Sequence, residues 1–417
     1  MKIHPIKVLT AAAALFSLSH STVAQSGINN FIRGGVDDAS TLLEAYASPL
    51  GKSTGANLNA GWINTAAALK PGRFELKLIG NAAYVPATAR TYSLDGLKFN
   101  LPTTRVIGDR TITETWEYTF TESPTVFGTT ENPQTIRKVV TYQNPTSGNE
   151  EEAVVAELPI PDGLGVSINP LTPAMQLNVG IPLATDVMIR FLPSAEVAND
   201  EVTLNYGGMW GLGVKHNIKQ WIPGLRNLPF SMSVAAAFSS TQASIALPTL
   251  LPEVPMGESF ADSTLANTEY QGPSPSDTDY SGQGAAFRIQ AWNINALISK
   301  EFTLISVYGG LRYAHATTSV NLTGTYGVAG EPYYNSENPY DPNNRRFTLV
   351  NLEDPLQIKT SHGQVGLAGG FRLQMGFLAL SGEVNLSRYS TASLGISAGS
   401  LDLVPARRGV KKNLNIW

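Results

Sequence analysis

The chain has 417 residues, no cysteine, 15% charged residues and a formal net charge of −4. Without cysteine it is neither a disulfide scaffold nor an acylated lipoprotein, and its slight acidity argues against a general nucleic-acid binder. The charged fraction falls well below the roughly 25% of an ordinary soluble domain.

The first element is an export signal. Lys2, His4 and Lys7 give a basic start, residues 8–18 form an apolar run, and Thr22-Val23-Ala24 makes a small-residue cleavage site, so cleavage is expected near Ala24. The run is shorter than the roughly 20 apolar residues a spanning helix needs. Next, Asp37 and Asp38 precede ASTLLEAY, in which Val36, Leu43, Tyr46 and Ala47 share a stripe. This predicts a short amphipathic helix capped by acidic residues and stopped by Pro49 and Gly51. The organisation read from these signals is a signal peptide over 1–24, an N-terminal helical hatch or periplasmic segment over 25–54, and one large sheet over 55–417.

From there the period is two. Phe74, Leu76 and Leu78 alternate with Arg73, Glu75 and Lys77, and Trp116, Tyr118 and Phe120 alternate with Glu117 and Thr119. Strands are expected at 111–120 and 135–142, flanking a polar excursion marked by Glu150-Glu151-Glu152, Pro159 and Pro161. Met232, Val234, Ala236 and Phe238 oppose Ser231, Ser233 and Ser239. Over 287–298 the apolar residues change faces near Ala291, which suggests a β-bulge. Val365, Leu367, Phe371, Leu373 and Met375 oppose Arg372 and Gln374; after Gly376, Leu378, Leu380, Val384 and Leu386 oppose Ser381, Glu383 and Asn385.

Connection lengths alternate. The links around 220–230, 299–301 and 376 are short, whereas 248–282 and 326–355 are long, polar and expected to be solvated loops. Outer-membrane barrels have short periplasmic turns and long outer loops, and their strands need only about 9–11 residues to cross lipid. Unpaired backbone groups are too costly in hydrocarbon to leave an open edge. The expectation is therefore an all-β, transmembrane, up-and-down antiparallel β-barrel of about 12–14 strands with a short N-terminal helix. Its location would be the outer membrane of a Gram-negative bacterium. Its partners would be outer-membrane lipid and the outer-membrane assembly machinery, with a small-molecule solute and no nucleic acid. Trp62, Trp210 and Trp292 divide between core packing and the membrane interface, and Trp417 supplies a terminal aromatic out of phase with Leu414 and Ile416.

Residues 42–52 (LLEAYASPLGK), 57–64 (NLNAGWIN), 214–224 (VKHNIKQWIPG) and, more weakly, 186–193 (DVMIRFLP) resemble an uncharacterised family of bacterial outer-membrane barrels known only as a domain of unknown function. The layout is also similar to the long-chain fatty-acid transporter family, with a hatch inside a barrel. That likeness is of layout alone and transfers no binding residue.

Catalytic signals are sparse. His216, His315 and His362 remain after processing, without metal-ligand spacing, and neither a Gly-x-Ser-x-Gly turn nor a phosphate-cradling glycine loop is present. No catalytic, metal or cofactor residue is assigned, and no cofactor is expected. Three functions compete: a passive transporter or channel for small, including hydrophobic, solutes; a structural or surface-display barrel binding a partner through its loops; and an outer-membrane lipase. The first is favoured, with Phe31, Leu43 and Tyr46 as candidate hatch or gating residues. Ser231, Ser233, Ser239, Glu383 and Asn385 are assigned to the lumen face.

Overall fold

The computed structural model describes residues 36–400, except 96, 98–102, 108–109, 133, 144–148, 199–202, 226, 247–248, 250–268, 271–277 and 335–344, together with Leu403. The signal segment, Phe31, much of the 248–282 loop and the stretch to Trp417 lie outside the described residues.

Ten antiparallel strands form the wall: β1 (Phe74–Tyr84), β2 (Ile168–Ile181), β3 (Thr185–Leu192), β4 (Thr203–Asn217), β5 (Ser231–Ala246), β6 (Gly284–Glu301), β7 (Ile305–Thr323), β8 (Gln357–Met375), β9 (Leu378–Leu386) and β10 (Thr391–Gly399). Each pairs with its neighbours in chain order. β10 returns to β1 in register from Glu75↔Gly399 to Ala83↔Thr391, which closes the barrel. Closure leaves no edge for lipid to strand. The up-and-down barrel expected from the alternation is thus present, with ten wall strands rather than 12–14.

The shortfall has a definite origin. The strands expected at 111–120 and 135–142 are Arg110–Glu117 and Thr135–Gln143, and they sit in a separate four-stranded sheet with Thr103–Ile107 and Glu150–Pro159. The acidic run at 150–152 is therefore sheet, not an irregular excursion. Likewise the 326–355 stretch is no simple loop, because Thr325–Tyr334 and Arg345–Glu353 pair antiparallel and the latter also pairs with Glu269–Tyr270. These sheets stand beyond one end of the wall, hereafter the cap end. The opposite end carries tight turns, one of them at Gly376, whose φ of 65° suits the first position of a two-residue hairpin turn.

Burial inverts the soluble pattern. Along β1 the residues alternate between exposed Phe74, Leu76 and Leu78 and buried Glu75 and Lys77. Leu367, Leu386, Leu394 and Ile396 are likewise exposed, while Asn293, Asn295, Arg312 and Ser397 are buried. Outward apolar residues run from Ile305 to Tyr313 along β7, a span of about 26 Å at roughly 3.3 Å per residue. Trp210 with Phe238, and Trp292 with Tyr313, make ring pairs at 5.4 Å on the outward face toward the cap end, as an interfacial aromatic girdle requires. No helix is long and apolar enough to cross a membrane.

Two local readings need correction. β6 pairs with β5 and β7 without a register shift, so no bulge sits at Ala291. The apolar residues change faces because Ile289 and Ala291 pack inward on Leu58, whereas Ile294 and Ile298 face out. The helix α1 (Val36–Asn59) also continues through Pro49 and Gly51. Burial against the wall overrides the propensity signal: a Cβ on Gly51 or Gly55 would collide with Thr318 or Ala316 of β7, so glycine lets the helix axis lie close to the strand. Ser53 Oγ donates to Pro49 O at 2.7 Å, giving a partner to a carbonyl in the proline turn.

Candidate functional site

The barrel interior is occupied by the protein itself. α1 enters from the cap end, and residues 60–69 continue to the turn end without regular helix or strand. Contacts with β7 descend in order: Gly51 against Thr318, Gly55 against Ala316, Asn59 Nδ2 donating to His315 O, and Ile63 O accepting from Tyr308 OH at 3.0 Å. Every residue from 55 to 69 is buried. This segment is the plug.

Residues 60–68 carry backbone groups with no ladder to join, Leu69 making a single bridge to Leu403, and the wall backbone is committed to its own pairing. Side chains must therefore supply the partners. Lys77 Nζ donates to Gly61 O at 2.7 Å. Arg190 donates to Leu58 O and Ala60 O, both at 3.1 Å, and to Gln176 Oε1, while its guanidinium lies 4.0 Å from the Trp62 ring centroid. Trp62 itself lies against Gly211 and Gly213 of β4, where a Cβ would approach the indole to 3.0 and 3.1 Å. Lys215 Nζ donates to Thr65 O and Ala67 O and pairs with Asp186 at 2.8 Å, whose other oxygen accepts from Leu69 N.

A second node joins three elements. Arg312 of β7 forks onto Glu383 of β9 at 2.9 and 3.0 Å. Glu383 also accepts from Tyr308 OH at 2.9 Å and from Gly61 N of the plug at 3.0 Å. Glu75 forms a third, accepting from Asn64, Ser397 and Asn178. Among the fully buried ionisable groups on the wall strands, five cations (Lys77, Arg190, Lys215, Arg312, Arg372) face three carboxylates (Glu75, Asp186, Glu383), a surplus of two positive charges.

The candidate hatch residues separate. Leu43 packs on the cluster of Val320, Leu322, Tyr326, Leu356 and Ile358 at the cap end of the wall. Tyr46 packs with Val126, Phe127 and Tyr389, and its hydroxyl donates to Asp162 O at 2.8 Å. Both lie where helix, wall and cap meet rather than deep in the lumen; Phe31 is outside the described residues. On the cap side Leu42 packs with Leu94, Trp116, Ile136 and Ile160, and Trp116 Nε1 donates to Asp38 at 2.8 Å. Tyr92 packs against that cluster, and burial pushes its hydroxyl up to about 12. Ser231, Ser233, Ser239, Glu383 and Asn385 are all buried inside the wall.

The sequence reading did not single out Lys77, Arg190, Lys215 or Arg312 as a set. The available signal was charge on the polar face of alternating strands. The histidines are dispersed: His216 Nε2 accepts from Trp221 Nε1 at 2.7 Å and its Nδ1 meets Thr185 Oγ1 at 2.8 Å, His315 stacks on Trp292, and His362 meets the Tyr389 ring edge-on. A cleft of about 860 Å³ lined by Glu196, Asn205, Gln242, Arg288 and Asn321 is on the outside of the wall, not in the lumen. Among the described residues no cluster of His, Asp or Glu could hold a metal.

A closed antiparallel wall with an apolar outer belt and a polar, plugged interior defines a β-barrel of the Gram-negative outer-membrane type. The chain belongs to the family of unknown function DUF6588, whose profile matches residues 1–400. No curated protein matches it. Solved structures similar to it include the attachment invasion locus protein Ail of Yersinia pestis (8% identity, 79% of this chain and 97% of that one, TM-score 0.22). The translocator domain of the autotransporter NalP from Neisseria meningitidis is another (9%, 85% and 96%, 0.24). The toluene transporter TodX of Pseudomonas putida is a third (7%, 81% and 96%, 0.21).

Proposed function

We propose that the protein is a passive transporter for small solutes in the outer membrane of a Gram-negative bacterium, closed in the described conformation by its own N-terminal plug. The observation that carries this reading is the manner of closure. Residues 60–68 belong to no strand or bridge, and their backbone is held to the wall by side-chain hydrogen bonds, beside an apolar contact of Trp62, Ile63 and Ala66 with Met188, Ala235, Ala237 and Leu297. Water can replace such bonds, so the segment can shift without opening the wall ladder. An unplugged pore is not part of the proposal, because any solute crossing the lumen must pass the buried stretch. Outer-membrane lipid surrounds the belt in this reading, and the assembly machinery of that membrane inserts it.

A second reading, a display barrel, is favoured by the cap. Its sheets extend beyond the wall and are fastened to α1 through Leu42 and Asp38.

The natural chain has no cysteine, so a designed cross-link is unambiguous. Thr65 Oγ1 of the plug lies 3.2 Å from Ser299 Oγ of β6, a spacing compatible with a disulfide. The double variant Thr65→Cys/Ser299→Cys is reconstituted into liposomes and swelling in small sugars is followed. Flux in the reduced form that stops on oxidation supports plug-gated transport. Equal flux in both forms refutes the gate. No flux in either form, nor in the unmodified protein, refutes transport and leaves the display reading.

A further inference from the structure

Arg372 stands apart from the other interior cations. It sits on the inward face of β8, 1% exposed, four residues before Gly376 of the turn. Arg312 has a carboxylate fork, Lys215 has Asp186, and Lys77 and Arg190 have plug carbonyls. Among the described residues Arg372 Nε, Nη1 and Nη2 make no hydrogen bond. Among the described residues its one ionic neighbour is Glu75, at 3.6 Å. That distance exceeds charge-assisted hydrogen-bond length, and the reason is visible: Glu75 Oε1 already accepts from Asn64 at 3.0 Å and Ser397 at 2.8 Å, and Oε2 from Asn178 at 2.8 Å. Glu75 is shared out before Arg372 reaches it.

A buried guanidinium with its whole fork unused is an unfavourable state that a protein maintains only for a reason. The fork is planar, carries five donors and matches a carboxylate with two parallel bonds. The residues directly opposite on the two neighbouring strands are Ser306 and Ser381, both small and buried, and the fork itself extends toward Glu75 of β1. Among the fully buried groups of the wall, cations outnumber carboxylates by two, and half-buried Glu301 reduces that to one, which one monoanion would offset.

We infer that Arg372 is an oxyanion-binding residue near the turn-end mouth of the lumen, and that its ligand is a small monocarboxylate. This rests on the transport reading by naming the solute class that the barrel would accept, yet it is testable at equilibrium without any flux. A monocarboxylate is preferred over phosphate because a single planar charge matches the single fork.

Acetate is the probe, titrated onto the full-length processed protein in micelles at constant ionic strength with chloride as the balancing ion, and binding is read by saturation-transfer NMR. The expected result is saturable binding that weakens at least tenfold in Arg372→Gln and partly survives in Arg372→Lys, which keeps the charge but not the fork. Absence of saturable binding to the wild type, or equal binding to Arg372→Gln, overturns the inference. Displacement of acetate by lower concentrations of inorganic phosphate overturns the ligand class. A measurement on the unaltered protein covers a variant that does not fold. Phenylglyoxal modification of Arg372, read by peptide mapping, should fall in acetate but not in equal chloride. Failure of Arg372 to react under either condition overturns the claim that small solutes reach it. Acetate binding together with a plug cross-link that leaves flux unchanged would retain this site while removing the gate.

Discussion

Replacing Glu383 by leucine is the most demanding test of the plug–wall junction. The carboxylate is 4% exposed and takes four hydrogen bonds: two from Arg312, one from Tyr308 and one from Gly61 N. Hydrogen bonds to charged groups contribute about 1.5–3 kcal/mol each when counted singly. Four that share one carboxylate do not add. The controlling event is that Arg312 becomes an uncompensated buried charge, for which removal of one partner costs about 3–5 kcal/mol. Arg312→Leu should cost a similar amount, for the mirror-image reason. In the double variant Arg312→Leu/Glu383→Leu both charges are gone. Tyr308 keeps Ile63 O as an acceptor at 3.0 Å. Gly61 N is orphaned, and so is Asn295 Oδ1, which accepts from Arg312 Nε at 2.6 Å, a loss of about 1–3 kcal/mol each. The double variant should therefore lose much less than the sum of the two single losses, with a coupling of about 3 kcal/mol. The assay is reversible urea unfolding in detergent micelles, comparing midpoints at constant slope. Single variants within about 0.5 kcal/mol of wild type, or losses that simply add, would refute the claim that this pair is buried and mutually dependent.

Two further outcomes follow from the geometry. Gly55→Leu drives a side chain into Ala316 and should destabilise by about 1–3 kcal/mol, with partial recovery on adding Ala316→Gly; the same titration reads both. Leu367→Arg, on the outer belt, should cost about 2–4 kcal/mol in lipid vesicles, whereas Ser361→Arg, on the same face toward the cap end, should change stability by about 1 kcal/mol or less. Equal losses at both positions would remove the lipid belt.

The wall was legible in the sequence because its signal is local. Alternation at 74–78, 231–239 and 365–386 assigns a face to each residue without knowledge of what that face meets. The count was not legible, because strands 111–120 and 135–142 carry the same alternation as the wall while pairing with one another and with Glu150–Pro159. Nothing in a strand's own residues states which neighbour it hydrogen-bonds. The length of α1 was hidden for a related reason. Pro49 and Gly51 are stop signals in isolation, and only the contact with Thr318 makes a glycine at 51 favourable inside a helix. The face change at 287–298 suggested a bulge because a strand's own pattern does not show that both of its faces meet apolar groups; Ile289 and Ala291 meet an apolar helix face and Ile294 and Ile298 face out.

The polar interior itself illustrates a limit of inference from faces. Serines, asparagines and charged residues pointing inward suit water or polar solutes at least as well as fatty acids, and the sequence left a filled barrel equally open. Here the same residues satisfy a peptide backbone. The extended part of the plug carries carbonyls at Ala60, Gly61, Thr65, Ala66 and Ala67 that accept from Arg190, Lys77, Lys215 and Ser233. A closed barrel has no spare backbone groups to offer, so a threaded segment without secondary structure obliges the wall to provide long donors and amides. The distinguishing mark of a plugged barrel is therefore the choice of polar residue. Donor-rich Lys and Arg at several inward positions, near a glycine- and alanine-rich stretch such as 60–68, indicate that the lumen lining has carbonyls to meet, while a lining of hydroxyls alone would not. Arg312 meets none of them either but forks onto Glu383, which takes Gly61 N; Arg372, with no hydrogen bond among the described residues, is the interior cation that the plug does not explain.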